Sequence, residues 1–228
     1  MVSTAHWLAT EAGVEILRRG GNAIDAAVAA AFALGVCEPA ASGLGGQTMM
    51  TLHDAASRKT LALDGSSRAP HRATPGLLGP VERRRGHRST TVPSTPATLA
   101  YALQRFGRLT LSDVLQPAIA LAENGYPVSE LQRALLRRER RHLKVGGAGE
   151  LFLKDGRRSY RVGETFRQPA LASTLKRLSR AGIEDFYTGR IARKIAADMR
   201  RHEGLLQLDD LAQIPWPIER RPLSARLG

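Results

Sequence analysis

The residues best suited to chemistry lie in a polar, turn-rich loop, residues 64–75, which reads DGSSRAPHRATP. It follows a short apolar run typical of a strand, and loops that leave a rigid scaffold often carry functional groups. Ser66 and Arg68 lie in the first half of this loop. A guanidinium can hold a carboxylate through two parallel hydrogen bonds, and a hydroxyl can donate or accept one. Alternatively, Arg68 only braces the loop.

Other catalytic arrangements are weakly supported. Ser66, His71 and Asp64 could be written as a triad, but nearness in sequence is not triad geometry, and no Gly-x-Ser-x-Gly elbow is present. The histidines are scattered, without the spacing of a zinc site. Cys37 is the only cysteine and lies in an apolar run, which predicts a small buried thiol. We therefore predict no catalytic residue, no metal site and no cofactor in this chain.

A glycine-rich turn, Ser42–Gly46, also invites a functional interpretation. A dinucleotide-binding turn needs a strand before the glycines and a helix after them. Here a helix pattern precedes the turn and a strand pattern follows it. We therefore expect these glycines to let the backbone pass close to packed neighbours rather than to hold phosphate.

The elements that must position the 64–75 loop are a central helix and a hairpin. Asn22 is a plausible N-cap for an alanine-rich helix that runs to about Val36. Two strands, 47–53 and 60–64, flank a turn at 54–58. Ser112 is the expected N-cap of a later helix, and the glycines of 146–149 predict a flexible break. Leu131, Ala134 and Leu135 are the predicted core face of the arginine-rich helix. The predicted helices are 7–19, 22–36, 96–106, 112–123, 130–144, 168–181, 189–201 and 208–213.

Composition limits the classes of partner. The chain has 228 residues and a formal net charge of +13, mostly from arginine. Such a charge permits phosphate binding, so a nucleic-acid-binding module stays open as an alternative. Aromatic content is only 5%, and no basic helix with interleaved aromatics is present, which favours a solvated arginine-rich surface. No signal-peptide or membrane-spanning pattern is found. We expect a soluble, cytoplasmic chain without nucleic-acid or membrane partners.

Several blocks together resemble one family. Residues 22–50 form the first, and residues 106–129, with FGRL, LQPAI, LAENG and PVS, form the most specific. Further blocks fall at 168–175 and 186–192. These resemble the N-terminal part of the large subunit of gamma-glutamyltransferases (glutathione hydrolases), a family of N-terminal-nucleophile hydrolases. The resemblance implies a helix-rich α/β (α+β) fold, a partial and incomplete α/β/β/α sandwich, for residues 1–228. It also implies that the two strands lack neighbours supplied by the missing part.

The resemblance extends to the 64–75 loop with one departure. The family carries Leu-Asp-x-Arg-Glu-x-Ala-Pro here, and its arginine clamps the substrate α-carboxylate. Leu63-Asp64 and Ala69-Pro70 match, but Ser66 stands at the clamp position and Arg68 falls two residues later. A subgroup that includes oxamate amidohydrolase-like proteins carries a Gly-Ser-Gly-Arg-Ala-Pro version, which this loop resembles more closely. Trp216 also suits that subgroup.

The resemblance implies a partner and a substrate class. The family nucleophile is the N-terminal threonine of a small subunit, released when the precursor cleaves itself, and it would lie beyond Gly228. We therefore expect a threonine-led small subunit or missing C-terminal half as partner and a small-molecule amide as substrate. The expected function is the N-terminal portion of an enzyme for γ-glutamyl compounds such as glutathione, inactive alone. The alternatives are an oxamate amidohydrolase-like enzyme for small amides and a non-catalytic truncated remnant.

Overall fold

The computed structural model describes residues 1–144 and 147–225. Within them the fold is helix-rich α+β, as the sequence predicts, with a three-stranded and a two-stranded antiparallel sheet. The helices are α1 (Trp7–Arg18), α2 (Ala23–Cys37), α3 (Thr95–Phe106), α4 (Leu111–Asn124), α5 (Glu130–Leu143), α6 (Ala148–Phe152), α7 (Pro169–Ala181), α8 (Arg190–Arg201) and α9 (Leu208–Ala212). The strands are β1 (Thr48–Asp54), β2 (Lys59–Gly65), β3 (Tyr126–Pro127), β4 (Thr165–Phe166) and β5 (Ile218–Arg220). Short 3-10 turns occupy His87–Ser89 and Ile183–Phe186.

Helix α2 is the centre of the helical layer, in contact with α1, α3 and α4. The predicted Asn22 N-cap is confirmed, because its side chain accepts the backbone N–H groups of Ile24 and Asp25. The small residues on this helix allow close approach: a Cβ added to Gly13 of α1 would lie 3.2 Å from the carbonyl oxygen of Ala26. Such packing needs the alanine-rich face that the sequence supplies.

The start of α2 is fixed by a buried carboxylate. Asp25 is fully buried and accepts the backbone N–H groups of Asn22, Arg108 and Leu109. A buried charge is tolerated when hydrogen bonds satisfy it. The side chain of Asn22 donates to the carbonyl of Phe106 at 2.7 Å. Together these bonds tie α2 to the connection between α3 and α4.

The sheet has the strand order β1-β2-β5, and both pairings are antiparallel. The predicted β1–β2 hairpin is confirmed, whereas β5 was not predicted. Even-numbered residues of β1, such as Leu52, are the more buried ones, and α3 packs on both β1 and β2. Met49, Asp64 and Ile218 stand opposite one another in register, and Met49 and Ile218 are 65% and 56% exposed.

Two local predictions were wrong. Thr110, not Ser112, is the N-cap of α4, because it forms a capping box with Asp113 three residues later. The core face of α5 is turned from the predicted one: Leu131 is 67% exposed and Leu136 is buried. Gln132, one turn before Leu136, donates to the Tyr126 hydroxyl and fixes that face inward.

The predicted flexible break at 146–149 falls partly outside the described residues, between the end of α5 at Leu143 and the start of α6. Gly146 lies outside the described residues, but α6 already begins at Ala148. Gly149 is buried within this short helix. No helix in the described ranges is both long enough and apolar enough to span a bilayer.

Candidate substrate loop

The 64–71 loop leaves β2 at a point where the backbone is tightly enclosed. A Cβ added to Gly65 would lie 2.0 Å from Oγ1 of Thr98 and 2.3 Å from the carbonyl oxygen of Thr48. The buried hydroxyl of Ser94, just before α3, donates to the Gly65 carbonyl. The first turn of α3 and the start of β1 therefore set the direction in which the loop leaves the sheet.

Asp64 is a brace at the start of the loop. Its Oδ1 accepts the hydroxyl of Ser66 at 2.6 Å, and its Oδ2 accepts Nε of Arg220 from β5 at 2.7 Å. The Ser66 hydroxyl first, and Arg220 second, hold the pKa of Asp64 below its usual value. An ionised, paired carboxylate of this kind holds the loop to the sheet and does not supply protons.

The two candidate residues have different surroundings. Ser66 is exposed, and its hydroxyl donates to Asp64. Arg68 is half-buried, and its Nη2 donates to the carbonyl of Asp210 at 2.9 Å and to the carbonyl of Gln213. The backbone carbonyl of Arg68 also accepts the N–H of Val92 at 2.9 Å. Arg68 thus holds the loop to α9, and a substrate-binding role for Ser66 and Arg68 stays a prediction.

Asp210 anchors the far end of the loop and was not among the predicted residues. It is 1% exposed, and its Oδ1 lies 2.8 Å from the backbone nitrogen of His71 and 2.6 Å from Nδ1 of the same residue. Its Oδ2 accepts the N–H of Gln207, which completes a capping box at the start of α9. The spacing of Gln207 and Asp210 was the available sequence signal.

The middle of the loop is held from the glycine turn. Gln47, directly after Gly46, accepts the backbone N–H and the hydroxyl of Ser67 at 3.0 and 3.2 Å. The carbonyl of Gly46 in turn accepts the N–H groups of Ser94 and Thr95. The glycine turn therefore packs against the start of α3 and supports the loop through the residue that follows it.

The triad that can be written from the sequence is not assembled. His71 contacts Asp210, while Ser66 contacts Asp64. Cys37 is buried, as predicted, and burial raises the pKa of its thiol to about 12. A thiol with such a pKa is not a nucleophile near neutral pH. The loop can therefore bind and orient a polar ligand, but these residues do not form a nucleophile with its base.

Comparison with known proteins decides the family. The family model described as gamma-glutamyltranspeptidase matches residues 9–228. The chain belongs to the gamma-glutamyltranspeptidase family. It is 35% identical over 227 residues to the glutathione hydrolase proenzyme of Bacillus subtilis (strain 168). This alignment covers 96% of the chain and 38% of that proenzyme. The corresponding Escherichia coli (strain K12) proenzyme is 34% identical over 233 residues, covering 98% of the chain and 40% of the proenzyme.

Solved structures of the gamma-glutamyltranspeptidase family share this fold. The crystal structure of Helicobacter pylori gamma-glutamyltranspeptidase superimposes with a TM-score of 0.94 at 36% identity. The match covers 98% of this chain and 66% of that one. The predicted family, the large-subunit N-terminal portion and the N-terminal-nucleophile hydrolase fold class are therefore confirmed. The chain therefore spans about 38% of the length of the Bacillus subtilis glutathione hydrolase proenzyme.

Proposed function

We propose that this chain supplies the N-terminal part of the large subunit of an enzyme that hydrolyses or transfers γ-glutamyl groups, with glutathione as the model substrate. Relatives 34–35% identical to nearly the whole chain are named glutathione hydrolase proenzymes. The observation that carries the proposal is the bracing of the 64–71 loop by Arg220, Gln47 and Asp210. A loop fixed from three elements can present side chains to a substrate in a constant geometry.

The proposed chemistry divides between this chain and the rest of the protein. A threonine at the start of a small subunit, with its own amine as base, would attack the γ-amide carbonyl. The carbon–nitrogen bond would then break, the protonated amine of the threonine would give its proton to the departing substrate amine, and an acyl-enzyme would remain. Water or a second amine would then release the γ-glutamyl group. The chain described here would contribute binding and orientation.

We assign recognition of the substrate carboxylate to the Ser66–Arg68 segment. Nη2 of Arg68 already donates to the carbonyls of Asp210 and Gln213. A substrate carboxylate would therefore accept hydrogen bonds from the remaining guanidinium N–H groups. Ser66 is exposed at the position where the family carries its clamp arginine, and a larger cationic side chain can extend from there into solvent.

The substitution Ser66→Arg tests this assignment. A charge-assisted arginine–carboxylate contact contributes about 1.5–3 kcal/mol, roughly a 10- to 100-fold gain. In the complete protein, S66R should raise kcat/KM for a γ-glutamyl anilide relative to a small amide such as oxamate by about that factor. Ser67→Arg is the matched control, because it adds the same charge one residue later. No gain in the ratio for S66R, or an equal gain for S67R, would remove position 66 from substrate recognition.

A second candidate function is hydrolysis of a small amide of the oxamate type. The observation that favours it is the absence at position 66 of the arginine expected for a γ-glutamyl α-carboxylate, since Ser66 stands there and is bound to Asp64. The same measurement separates the two candidates. A wild-type protein that turns over oxamate faster than the γ-glutamyl anilide supports the small-amide enzyme, and the reverse order supports the γ-glutamyl enzyme.

A further inference from the structure

Two histidines that lie 115 positions apart in the sequence meet at the end of α8. His87 belongs to the 3-10 turn His87–Ser89, in the arginine-rich connection between β2 and α3. Asp198 and His202 lie one turn apart at the end of α8. We call these three residues the His87–Asp198–His202 cluster. It is remote in sequence from the 64–71 loop, and the proposed function does not use it.

The donor atoms of the cluster converge. Nε2 of His87 lies 3.1 Å from Oδ2 of Asp198, and Nδ1 of His202 lies 3.3 Å from Oδ1 of the same carboxylate. One ligand atom from each residue falls within 4.8 Å of those from the other two. The imidazole rings are stacked, with centroids 4.3 Å apart and planes 16° from parallel. Each ring nitrogen therefore lies near one oxygen of the Asp198 carboxylate, while Nδ1 of His202 is nearer still, at 2.9 Å, to the backbone carbonyl oxygen of Asp198, a contact that metal binding would replace.

The backbone holds this arrangement in place. The N–H of His202 donates to the carbonyls of Asp198 and Met199, which closes the end of α8. Glu203 then takes a positive φ of 57°, and the chain turns back at Gly204. A Cβ added to Gly204 would lie 3.2 Å from Cβ of His87. The close approach of the two segments therefore depends on a glycine at this turn.

We propose that the His87–Asp198–His202 cluster is a binding site for a first-row divalent cation, with Zn²⁺ as its ligand. Two imidazoles and a carboxylate form a donor set that suits Zn²⁺ and disfavours Mg²⁺ and Ca²⁺, which prefer oxygen ligands. In a tetrahedral shell with bonds of about 2.1 Å, neighbouring donors stand roughly 3.4 Å apart. The two nitrogen–oxygen distances are close to that spacing, and three protein ligands leave one position for water.

Neighbouring charges set the expected strength of the site. Arg200 and Arg201 precede His202 on α8, and one carboxylate leaves a Zn²⁺ complex with a net positive charge. Two nearby arginines are paired elsewhere, Arg85 with Glu139 and Arg88 with Glu82. These charges point to an affinity weaker than that of a structural zinc finger. The bound ion would join the arginine-rich connection to α8.

Calorimetric titration of Zn²⁺ into the complete, tag-free and chelator-treated protein tests the proposal. We expect one Zn²⁺ per chain and no comparable binding of Mg²⁺. His202→Ala and His87→Ala should each weaken binding at least about tenfold. His53→Ala is the matched control, because His53 is an exposed histidine whose ring contacts Thr60 on the hairpin, and it should bind like the wild type. Asp198→Asn keeps the side-chain shape and gives a second reading if a histidine variant does not fold.

Three results would overturn the proposal. The first is no Zn²⁺ binding by the wild type, and the second is binding by the His87→Ala/His202→Ala double variant that equals that of the wild type. The third is loss of binding in His71→Ala alone, because His71, Asp209 and Asp210 form a second group of converging donors. Zinc-dependent thermal stabilisation that is present in the wild type and absent in H202A would give independent support.

Discussion

Gly65 is the residue at which the 64–71 loop leaves the sheet, and it has no space for a side chain. Thr98 and Thr48 would both lie within 2.3 Å of an added Cβ, and one of the nearest atoms is a backbone carbonyl oxygen, which cannot move aside easily. The loop direction therefore depends on a single missing methyl group. The neighbouring side chains of the loop keep their orientation only if the backbone of Gly65 keeps its position.

We expect Gly65→Ala to destabilise the protein by about 1–3 kcal/mol, because overpacking forces backbone shifts. Chemical denaturation measures the change in free energy of unfolding. Gly45→Ala is the control, since nothing lies within 4 Å of a Cβ added there. Equal stability of the two variants would mean that Gly65 is not enclosed as described.

The sequence predicted which loop holds the candidate residues but not what holds the loop. A polar segment after a strand can be recognised locally, and so can the Asn22 cap, whose bonds span only three residues. The partners of the loop are distant: Asp64 and Arg220 are separated by 156 positions, and Arg68 and Asp210 by 142. No local spacing encodes such pairs. The His87–Asp198–His202 cluster could not be predicted for the same reason. Zinc-binding patterns are recognised from histidines at short spacing, and His87 and His202 are 115 positions apart.

At the scale of elements, one carboxylate joins α7 to α8. Both Nε and Nη2 of Arg177 donate to Asp185, at 2.7 and 2.6 Å, and the N–H groups of Arg190 and Ile191 at the start of α8 donate to the same carboxylate. Arg177 is the main reason that the pKa of Asp185 falls to about 2. Only 9% of the Asp185 side chain is exposed, while the Arg177 side chain is 38% exposed, so solvent screens the ion pair from the arginine side.

The low pKa of Asp185 makes its contribution to stability pH-dependent. Folding favours the ionised carboxylate, so the contribution is complete above the ordinary pKa of 3.8 and is lost as the pH falls towards 2. Asp185→Asn should therefore destabilise the protein by about 1–3 kcal/mol at pH 6–7 and by progressively less below pH 4. Thermal unfolding at several pH values measures this. Asp155→Asn, in a pair that is 72% and 75% exposed, is the control and should change little at any pH. A D185N effect that is independent of pH would contradict the ion-pair explanation.

Most elements could be predicted, and the errors have physical causes. Long amphipathic helices and the hairpin follow from periodicity and turn residues. The strands β3, β4 and β5 have only two or three residues each, too few to show alternation, and exist because a distant segment pairs with them. The face of α5 was misassigned because a polar residue, Gln132, is buried by its bond to Tyr126, while Leu131 faces out. Apolar counting alone cannot anticipate such an exchange.

At the scale of the whole molecule, the exposed face of the β1-β2-β5 sheet is suited to packing against further structure. In the described part of the chain, β1 and β5 are edge strands, and the face opposite α3 carries the exposed Met49 and Ile218. Exposed apolar side chains in register on a sheet favour packing against another layer. The longer relatives, of which this chain spans about 38%, are consistent with a further part that covers this face.

In the proposed function, this chain provides the scaffold and the substrate loop, while the nucleophile comes from a threonine-led part of the protein. Steady-state release of the anilide from a γ-glutamyl anilide tests it most directly, measured for residues 1–228 alone and together with the threonine-led part. We predict no turnover above background by residues 1–228 alone and clear turnover by the combination, lost when the threonine is replaced by alanine. Turnover by residues 1–228 alone would contradict the account, as would turnover by the combination that survives replacement of the threonine by alanine.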